Sequence, residues 1–256
     1  MPRERFAEKF MQISPPFGYS DIVPLHKAQK VRLPVPGALP EFCRRVNAVP
    51  ISYSEFGVAC RDYPLAFITV NQGRTFVAIA VLGVAGGENL FLRDGRWDNS
   101  VYIPAYVRRY PFCMARVTLD TVEQADRLIC VEKAFLSEEG ERMFDDAGVP
   151  FPRWQPIEKL LQEYEADLER SREMCAILAD YALLEAFTLQ VSPKDGTTTN
   201  LGGMYRVEER KLEFLNAAQH KNLFRKGIMG RIYGHLISLE NFSRLLDRKS
   251  RANRSL

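Results

Sequence analysis

The densest group of aromatic and arginine side chains in the 256-residue chain lies between Trp97 and Phe112. Aromatic rings beside a guanidinium can hold a planar or anionic ligand, because the rings stack and attract cations while arginine forms paired hydrogen bonds to carboxylate or phosphate. We therefore predict a ligand-binding ledge made of Trp97, Tyr102, Tyr106, Arg108, Arg109 and Tyr110. The alternative is that these rings pack in a second core and the arginines pair with carboxylates.

The backbone conformation of this segment has two interpretations. If residues 101–112 are extended, the period of two places the tyrosines and Arg108 on one face and Val101, Ile103, Ala105 and Val107 on the core face. Alternatively, Pro104 starts a short helix, since proline is favoured at the first helical position, and Arg108 then lies on the same side as Pro104. Both interpretations remain open from the residues alone.

Short catalytic motifs are missing from the chain, which contains no G-x-S-x-G, no G-x-x-x-x-G-K-[ST] and no H-E-x-x-H. The three histidines, His26, His220 and His235, lie far apart in sequence, so a metal site would require the fold to bring them together. Residues 83–87 are glycine-rich, but their spacing does not match G-x-G-x-x-G and a strand follows them, which favours a plain tight turn. We expect no metal and no cofactor, and no catalytic residue is assigned.

Composition indicates a soluble globular protein, with 46% hydrophobic and 26% charged residues and a formal charge of +3. These values exclude collagen, low-complexity disorder and a long coiled coil. The longest apolar stretch, residues 76–87, is shorter than the roughly 20 residues of a membrane span. Residues 1–18 contain no apolar run of the length that a signal peptide needs, so we expect none. The five cysteines are scattered without C-x-x-C, as expected of reduced buried thiols. We expect a cytoplasmic protein with no transmembrane segment.

Positive charge is concentrated at the end of the sequence, where one acidic residue, Asp247, accompanies five basic ones: Arg244, Arg248, Lys249, Arg251 and Arg254. A basic tail can contact nucleic acid or an anionic membrane surface. This one is short, lacks interleaved aromatic residues and follows a predicted helix. We interpret it as a solvated, fraying end and expect no nucleic-acid partner.

Strand patterns dominate the first half of the chain and helix patterns dominate the second. The β-branched run Leu65–Val70 and the apolar run 75–84 flank Asn71-Gln72-Gly73 and predict a hairpin, and Asp94-Gly95 predicts a second hairpin turn. Further predicted strands are 115–119, 128–132, 187–191 and 201–207, the last two around a turn at 193–196. Predicted helices are 41–47, 52–60 with Ser52 as its start, 137–147, a long amphipathic helix from Pro156 to 183, 208–226 ending at Gly227, and 239–248 after Ser238 as N-cap.

Several blocks resemble the bacterial SapC family in content and order, from about Ala48 to Leu246. The most specific block is Tyr102-Ile103-Pro104-Ala105-Tyr106-Val107-Arg108-Arg109-Tyr110-Pro111-Phe112, and others are Tyr63-Pro64-Leu65-Ala66-Phe67, Glu88-Asn89-Leu90-Phe91 and Leu201-Gly202-Gly203-Met204-Tyr205-Arg206-Val207. The family takes its name from a surface-layer gene cluster, so the resemblance implies a bacterial, surface-layer or envelope-associated setting. It implies no catalytic residues.

Together these observations predict an α+β fold, with an antiparallel sheet in the N-terminal half packed against a mostly helical C-terminal half. The expected organisation is an extended arm over 1–38, a single α+β domain over 39–250 that is β-rich to 155 and helical from 156, and a basic tail over 251–256. The function expected is that of a non-enzymatic accessory or binding protein with a protein or peptide partner. The alternative is an enzyme acting on a small molecule or peptide, with an oxygenase-like partner.

Overall fold

A computed structural model describes residues 11–35, 37–70, 75–119, 122–191 and 199–254. The described residues group into two compact units, each built from separated segments of the chain. Unit 1 combines the residues before Gly37 with Arg109–Gln162, and unit 2 combines Gly37–Arg108 with the residues from Glu163 onward. The division into an arm, a single domain and a tail, which was made from the sequence, stays a prediction.

The secondary structure is α+β, as predicted, and all strand pairs are antiparallel among the residues described. The strands are β1 (Met11–Ile13), β2 (Ile22–Pro24), β3 (Lys30–Val31), β4 (Ala48–Pro50), β5 (Leu65–Val70), β6 (Thr75–Val81), β7 (Leu92–Arg93), β8 (Arg96–Trp97), β9 (Phe112–Leu119), β10 (Val122–Glu132), β11 (Glu141–Arg142), β12 (Leu184–Val191) and β13 (Thr199–Val207). The helices are α1 (Phe56–Ala59), α2 (Ala105–Arg108), α3 (Gln155–Asp180), α4 (Ala217–Arg225), α5 (Ile228–Ser238) and α6 (Asn241–Arg254), with 3₁₀ turns at Glu41–Arg44, Tyr53–Glu55, Lys133–Phe135 and Glu209–Phe214.

Unit 1 contains a four-stranded sheet in the order β1-β9-β10-β2 and a small pair formed by β3 and β11. One of its cores surrounds Trp154, which is almost fully buried and meets the rings of Phe112 and Phe144 at centroid distances of 5.4 and 5.3 Å. Large aromatic side chains contribute most to such cores because each removes a large apolar area from water. This core therefore joins the sheet to the segment that precedes α3.

Unit 2 contains a five-stranded sheet in the order β12-β13-β5-β6-β4 and the short hairpin β7-β8. Its core combines sheet residues such as Phe67 with Met174 and Cys175, which lie four and three positions before Leu178 on α3, and with Leu178 itself. That spacing places them on one helix face, as the amphipathic pattern predicted. Helices α5 and α6 add Ile232 and Leu245 to the same core.

From the sequence we expect a single antiparallel sheet over about residues 63 to 133, but the strands of this region divide among three antiparallel sheets. Strands β5 and β6 are flanked by β13 and β4, whereas β9 and β10 are flanked by β1 and β2. Each hairpin thus finds its neighbours in a different part of the chain. Local patterns identify hairpins but not these distant partners, because strand neighbours are chosen by packing on the sheet faces.

Both predicted hairpins of the first half are confirmed. Strands β5 and β6 pair in register from Leu65 opposite Ala80 to Val70 opposite Thr75, and the predicted turn residues 71–73 lie outside the described residues. The second hairpin turns at Asp94 and Gly95, whose φ angles of 50° and 71° are both positive. A two-residue turn of this kind requires positive φ at both positions, which explains the Asp-Gly pair. The predicted turn at 193–196 also lies outside the described residues, while β12 and β13 pair as predicted.

Three helix predictions need correction. The segment 137–147 contains β11 instead of a helix, because Glu141 and Arg142 pair with β3. Gly140 fits beside this pair, where a β-carbon would be 2.6 Å from the Val31 carbonyl carbon. The predicted helix 208–226 is a 3₁₀ turn followed by α4, since Asn216 caps α4 by accepting from the Gln219 backbone N–H at 3.0 Å. The predicted helix 41–47 is a 3₁₀ turn over Glu41–Arg44.

Helix α5 was not predicted from the sequence. It contains Gly230 and Gly234, and glycine lowers helix propensity by about 1 kcal/mol each relative to alanine. Ser238 is its last residue and not the N-cap of the final helix; its hydroxyl accepts from the Leu65 backbone N–H at 3.0 Å and donates to the His235 carbonyl. Contacts within unit 2 therefore stabilise a helix whose own sequence does not favour it.

Candidate functional site

The tyrosine- and arginine-rich segment forms the short helix α2 and not an extended strand. Pro104 precedes this helix, so of the two interpretations the helical one is confirmed and the extended one was wrong. The backbone N–H of Ala105 donates to the Glu55 carboxylate at 2.6 Å. The first N–H groups of a helix have no partner within the helix, and a carboxylate is the acceptor they favour most. Glu55 thus fixes where α2 begins.

Glu55 is a buried carboxylate with a full set of donors, and we call these contacts the Glu55 network. It is 5% exposed, and its Oε2 accepts from the backbone N–H of Ser52 at 2.9 Å and from the Ser52 hydroxyl at 2.7 Å. Its Oε1 accepts from the Tyr102 hydroxyl at 2.9 Å as well as from Ala105. A buried charge is tolerated only when it is hydrogen-bonded in this way. The network ties the start of α1 to the start of α2.

Arg108 and Tyr102 form a pair at the end of this network. The Arg108 Nη2 donates to the Tyr102 hydroxyl at 2.9 Å, its Nε donates to the Ile103 carbonyl at 3.0 Å, and its guanidinium lies 5.5 Å from the Tyr102 ring centroid. Burial, and next the charge of Glu55, raise the pKa of Tyr102 to about 12 against the opposing effect of Arg108. The Tyr102–Arg108 pair therefore holds an exposed cation in one fixed position.

Trp97 and Tyr106, two further residues of the predicted ledge, are buried in unit 2. The Trp97 indole donates to the Tyr63 hydroxyl at 2.9 Å, and that hydroxyl donates to the Tyr102 carbonyl. Tyr106 is 4% exposed and meets the rings of Phe42 and Tyr164. Trp97 thus supports the backbone next to the Tyr102–Arg108 pair, while Tyr106 packs in the core.

Arg109 and Tyr110, the remaining ledge residues, belong to unit 1, because the division between the units falls after Arg108. Arg109 is 4% exposed, and its guanidinium lies 5.6 Å from the Tyr19 ring centroid. Tyr110 is half-buried and meets the rings of Tyr19 and Phe135. Of the six predicted residues, the structure brings Tyr102 and Arg108 into direct contact. The binding role of the ledge stays a prediction.

A groove in unit 2, which we call the arginine groove, was not identified from the sequence. It has a volume of about 680 Å³ and lies among α6, the β7-β8 hairpin and the turn after α1. The arginines that line it are Arg61, Arg93, Arg244, Arg248 and Arg251. Three of them follow the spacing i, i+4, i+7 along α6, which places them on one helix face. That spacing was the available signal, but the segment was interpreted as a fraying end.

The carboxylate of Asp98 contacts two arginines of this groove. Its Oδ2 accepts from the Arg248 Nη1 at 3.0 Å and lies 3.3 Å from the Arg93 Nη2, and the Arg248 guanidinium also lies 4.4 Å from the Phe91 ring centroid. Burial raises the pKa of Asp98, but hydrogen bonds from Ser100 and Arg248 and the charge of Arg93 outweigh it and lower the pKa to about 2. Asp98 is therefore a stable anion at neutral pH.

We expect Asp98→Asn to lower the free energy of unfolding by about 2 kcal/mol, because it leaves Arg248 beside a neutral partner. The contribution of the carboxylate is present above the unfolded pKa near 4 and is lost as the pH falls through about 2. Urea unfolding at pH 7 measures the difference. Asp94→Asn, at the exposed hairpin turn, is the matched control, and equal stability losses for the two variants would contradict this account.

The histidines do not supply a metal site in the part of the chain that the structure describes. No group of three or more histidine, cysteine, aspartate or glutamate side chains is placed to hold a metal ion there. His235 is fully buried; its Nε2 accepts from the Val207 backbone N–H at 3.0 Å, so its Nδ1 carries the proton and donates to the Leu65 carbonyl at 3.0 Å. Burial lowers the pKa of His235 to about 4. Its role is to join β5, β13 and α5.

Comparison with known proteins gives one match. The model of the SapC family matches residues 26–245, which is most of the chain. No curated protein and no solved structure matches. None of the helices in the described ranges is both long enough and apolar enough to cross a membrane.

Proposed function

Because the chain belongs to the SapC family, we propose that it is a non-enzymatic accessory protein of a bacterial surface-layer or envelope-associated system, where it binds a protein or peptide partner. The observation that supports this most is the exposed and fixed guanidinium of Arg108 within the most specific block of the family resemblance. We propose that the predicted ledge takes part through this residue. The partner supplies a carboxylate, from a side chain or from its C-terminus.

The geometry of Arg108 favours recognition. Two of its five N–H groups are used by Ile103 and Tyr102, which leaves three N–H donors of the guanidinium for a carboxylate. A side chain that is already ordered loses less conformational entropy on binding than a mobile one, for which the loss is about 0.5–1.5 kcal/mol. The pair is thus prepared to bind an anion.

The chemistry of arginine supports binding over proton transfer. The guanidinium stays protonated at every physiological pH, so it attracts anions and does not act as a general base. Around it, the polar groups of the Glu55 network are occupied by one another: Tyr102 donates to Glu55, and Glu55 also accepts from Ser52 and Ala105. These groups position the Arg108 guanidinium, and the guanidinium binds the partner.

Retention of a partner by immobilised protein tests this function. The wild-type chain, Arg108→Ala and Arg210→Ala are each exposed to a solubilised envelope fraction of the source bacterium. Arg210 is an exposed arginine of the Glu209–Phe214 turn and serves as the matched control. We expect a protein that wild type and Arg210→Ala retain equally and that Arg108→Ala retains at least about tenfold less, as for loss of a central anchor.

Circular dichroism and thermal unfolding first establish that each variant is folded. Equal retention by folded Arg108→Ala would remove this residue from the interface. Conversion of a co-purified small molecule or peptide by the wild-type protein would contradict the non-enzymatic assignment.

A further inference from the structure

The arginine groove carries an excess of positive charge. Its five arginines face three acidic lining residues, Asp62, Asp94 and Asp247, so the lining has two positive charges in excess, and one when the buried Asp98 is included. Arginine forks form paired, charge-assisted hydrogen bonds to phosphate and carboxylate oxygens. The groove therefore attracts an anion.

Two guanidinium groups of the groove, those of Arg244 and Arg248, are held in place by the protein. Arg248 is fixed by Asp98 and by the ring of Phe91. The Nη1 of Arg244 donates to the Arg61 carbonyl at 3.2 Å and to the Asn241 side-chain oxygen at 3.1 Å. Because these arginines are ordered before a ligand arrives, binding costs less conformational entropy.

The groove also offers apolar contact. Leu90, Leu92 and Val101 are half-buried and form part of its lining. Its volume of about 680 Å³ is within the 300–1,000 Å³ typical of small-molecule sites and is much larger than a phosphate ion. A ligand that fills it has both an anionic group and an apolar body.

We infer that the arginine groove binds a phosphate monoester with an apolar body. Its arginines come from three separate segments, at Arg61, at Arg93 and along α6. A phosphate monoester has three terminal oxygens that point in different directions, so it can accept from forks on several sides, whereas the acceptor sites of a carboxylate lie in one plane. This inference does not depend on the proposed binding function of the Tyr102–Arg108 pair. The phosphate can belong to a soluble molecule or to a lipid headgroup.

Titration calorimetry with phenyl phosphate tests the groove, with benzoate and benzyl alcohol as comparison ligands. The variants are Arg61→Ala, Arg251→Ala and the double variant. Arg96→Ala is the matched control, because Arg96 is an exposed arginine of the β7-β8 hairpin that borders the groove but is not part of its lining. We expect phenyl phosphate to bind wild type and Arg96→Ala equally, and the double variant at least about tenfold more weakly, with weaker binding at higher salt.

Two arms of the same experiment separate the sources of the phosphate. Sedimentation with phosphatidylcholine vesicles, with and without phosphatidic acid, assigns a lipid headgroup if phosphatidic acid increases binding of wild type but not of the double variant. Phenyl phosphate binding without this increase assigns a soluble phosphate monoester. Arg108→Ala binds phenyl phosphate like wild type if the groove is a separate site, so the two proposals can fail independently.

The inference is overturned if wild-type protein gives no heat with millimolar phenyl phosphate, or if the folded double variant binds it as tightly as Arg96→Ala does. It is also overturned if benzoate binds more tightly than phenyl phosphate, since the groove would then favour a carboxylate. Thermal unfolding of every variant shows that the comparison is made between folded proteins.

Discussion

Glu55→Ala is expected to lower the free energy of unfolding by about 4 kcal/mol. The change removes the acceptor of four hydrogen bonds and leaves the Ala105 N–H, the Tyr102 hydroxyl and the Ser52 donors without it. These groups are largely buried, so water does not replace the carboxylate without rearrangement. Urea unfolding, followed by circular dichroism, measures the effect.

Two further variants separate the Glu55 network from a general effect of losing charge. Glu41→Ala removes an exposed carboxylate from another 3₁₀ turn of unit 2 and should cost less than about 0.5 kcal/mol. Glu55→Gln keeps the size of the side chain and one acceptor, so its cost should lie between those of the two alanine variants. A cost for Glu55→Ala that equals that of Glu41→Ala would show that the network does not stabilise the fold.

The second large effect is caused by His235, which lowers the free energy of unfolding as the solution is acidified. Its pKa is lowered to about 4 in the folded protein, whereas an unfolded histidine titrates near 6.5. The stabilisation is therefore present above pH 6.5 and is lost as the pH falls through 4, because protonation then favours the unfolded chain. Between pH 7 and pH 4 we expect this residue to remove about 3 kcal/mol from the free energy of unfolding.

The pH dependence of His235→Gln measures this contribution. Glutamine can still accept from the Val207 N–H but does not titrate, so its unfolding free energy should fall by about 3 kcal/mol less than that of wild type over the same range. His26→Gln, at an exposed position of unit 1, should keep the wild-type slope. Identical slopes for wild type and His235→Gln would show that His235 is not buried as a neutral group.

Local signals in the sequence were enough to predict much of the fold. Asp94-Gly95 predicted its hairpin because few residue pairs accept positive φ twice, and the apolar stripe after Pro156 predicted α3 because only one helix face is buried. The start of the segment after Ser52 was also predicted, through the reciprocal contact with Glu55. These features depend on neighbours within a few positions.

Features that depend on distant partners could not be predicted in this way. The sheet of unit 1 needs β1 and β2 beside β9 and β10, more than 100 positions away in sequence, and α5 depends on contacts such as that between His235 and β5. In the candidate site, the sequence placed Tyr102 and Arg108 together but did not show that Trp97 and Tyr106 are buried. Arg248 was interpreted as part of a solvated end because its partner, Asp98, lies 150 positions earlier.

The affinity of the retained envelope protein for Arg108 variants tests the proposed binding function most directly. Surface plasmon resonance compares wild type, Arg108→Lys, Arg108→Ala and the control Arg210→Ala, all shown to be folded. We expect Arg108→Ala to bind at least about tenfold more weakly, Arg108→Lys to be intermediate because lysine keeps the charge but not the fork, and Arg210→Ala to match wild type. Wild-type affinity in folded Arg108→Ala would contradict the proposal that this cation meets the partner.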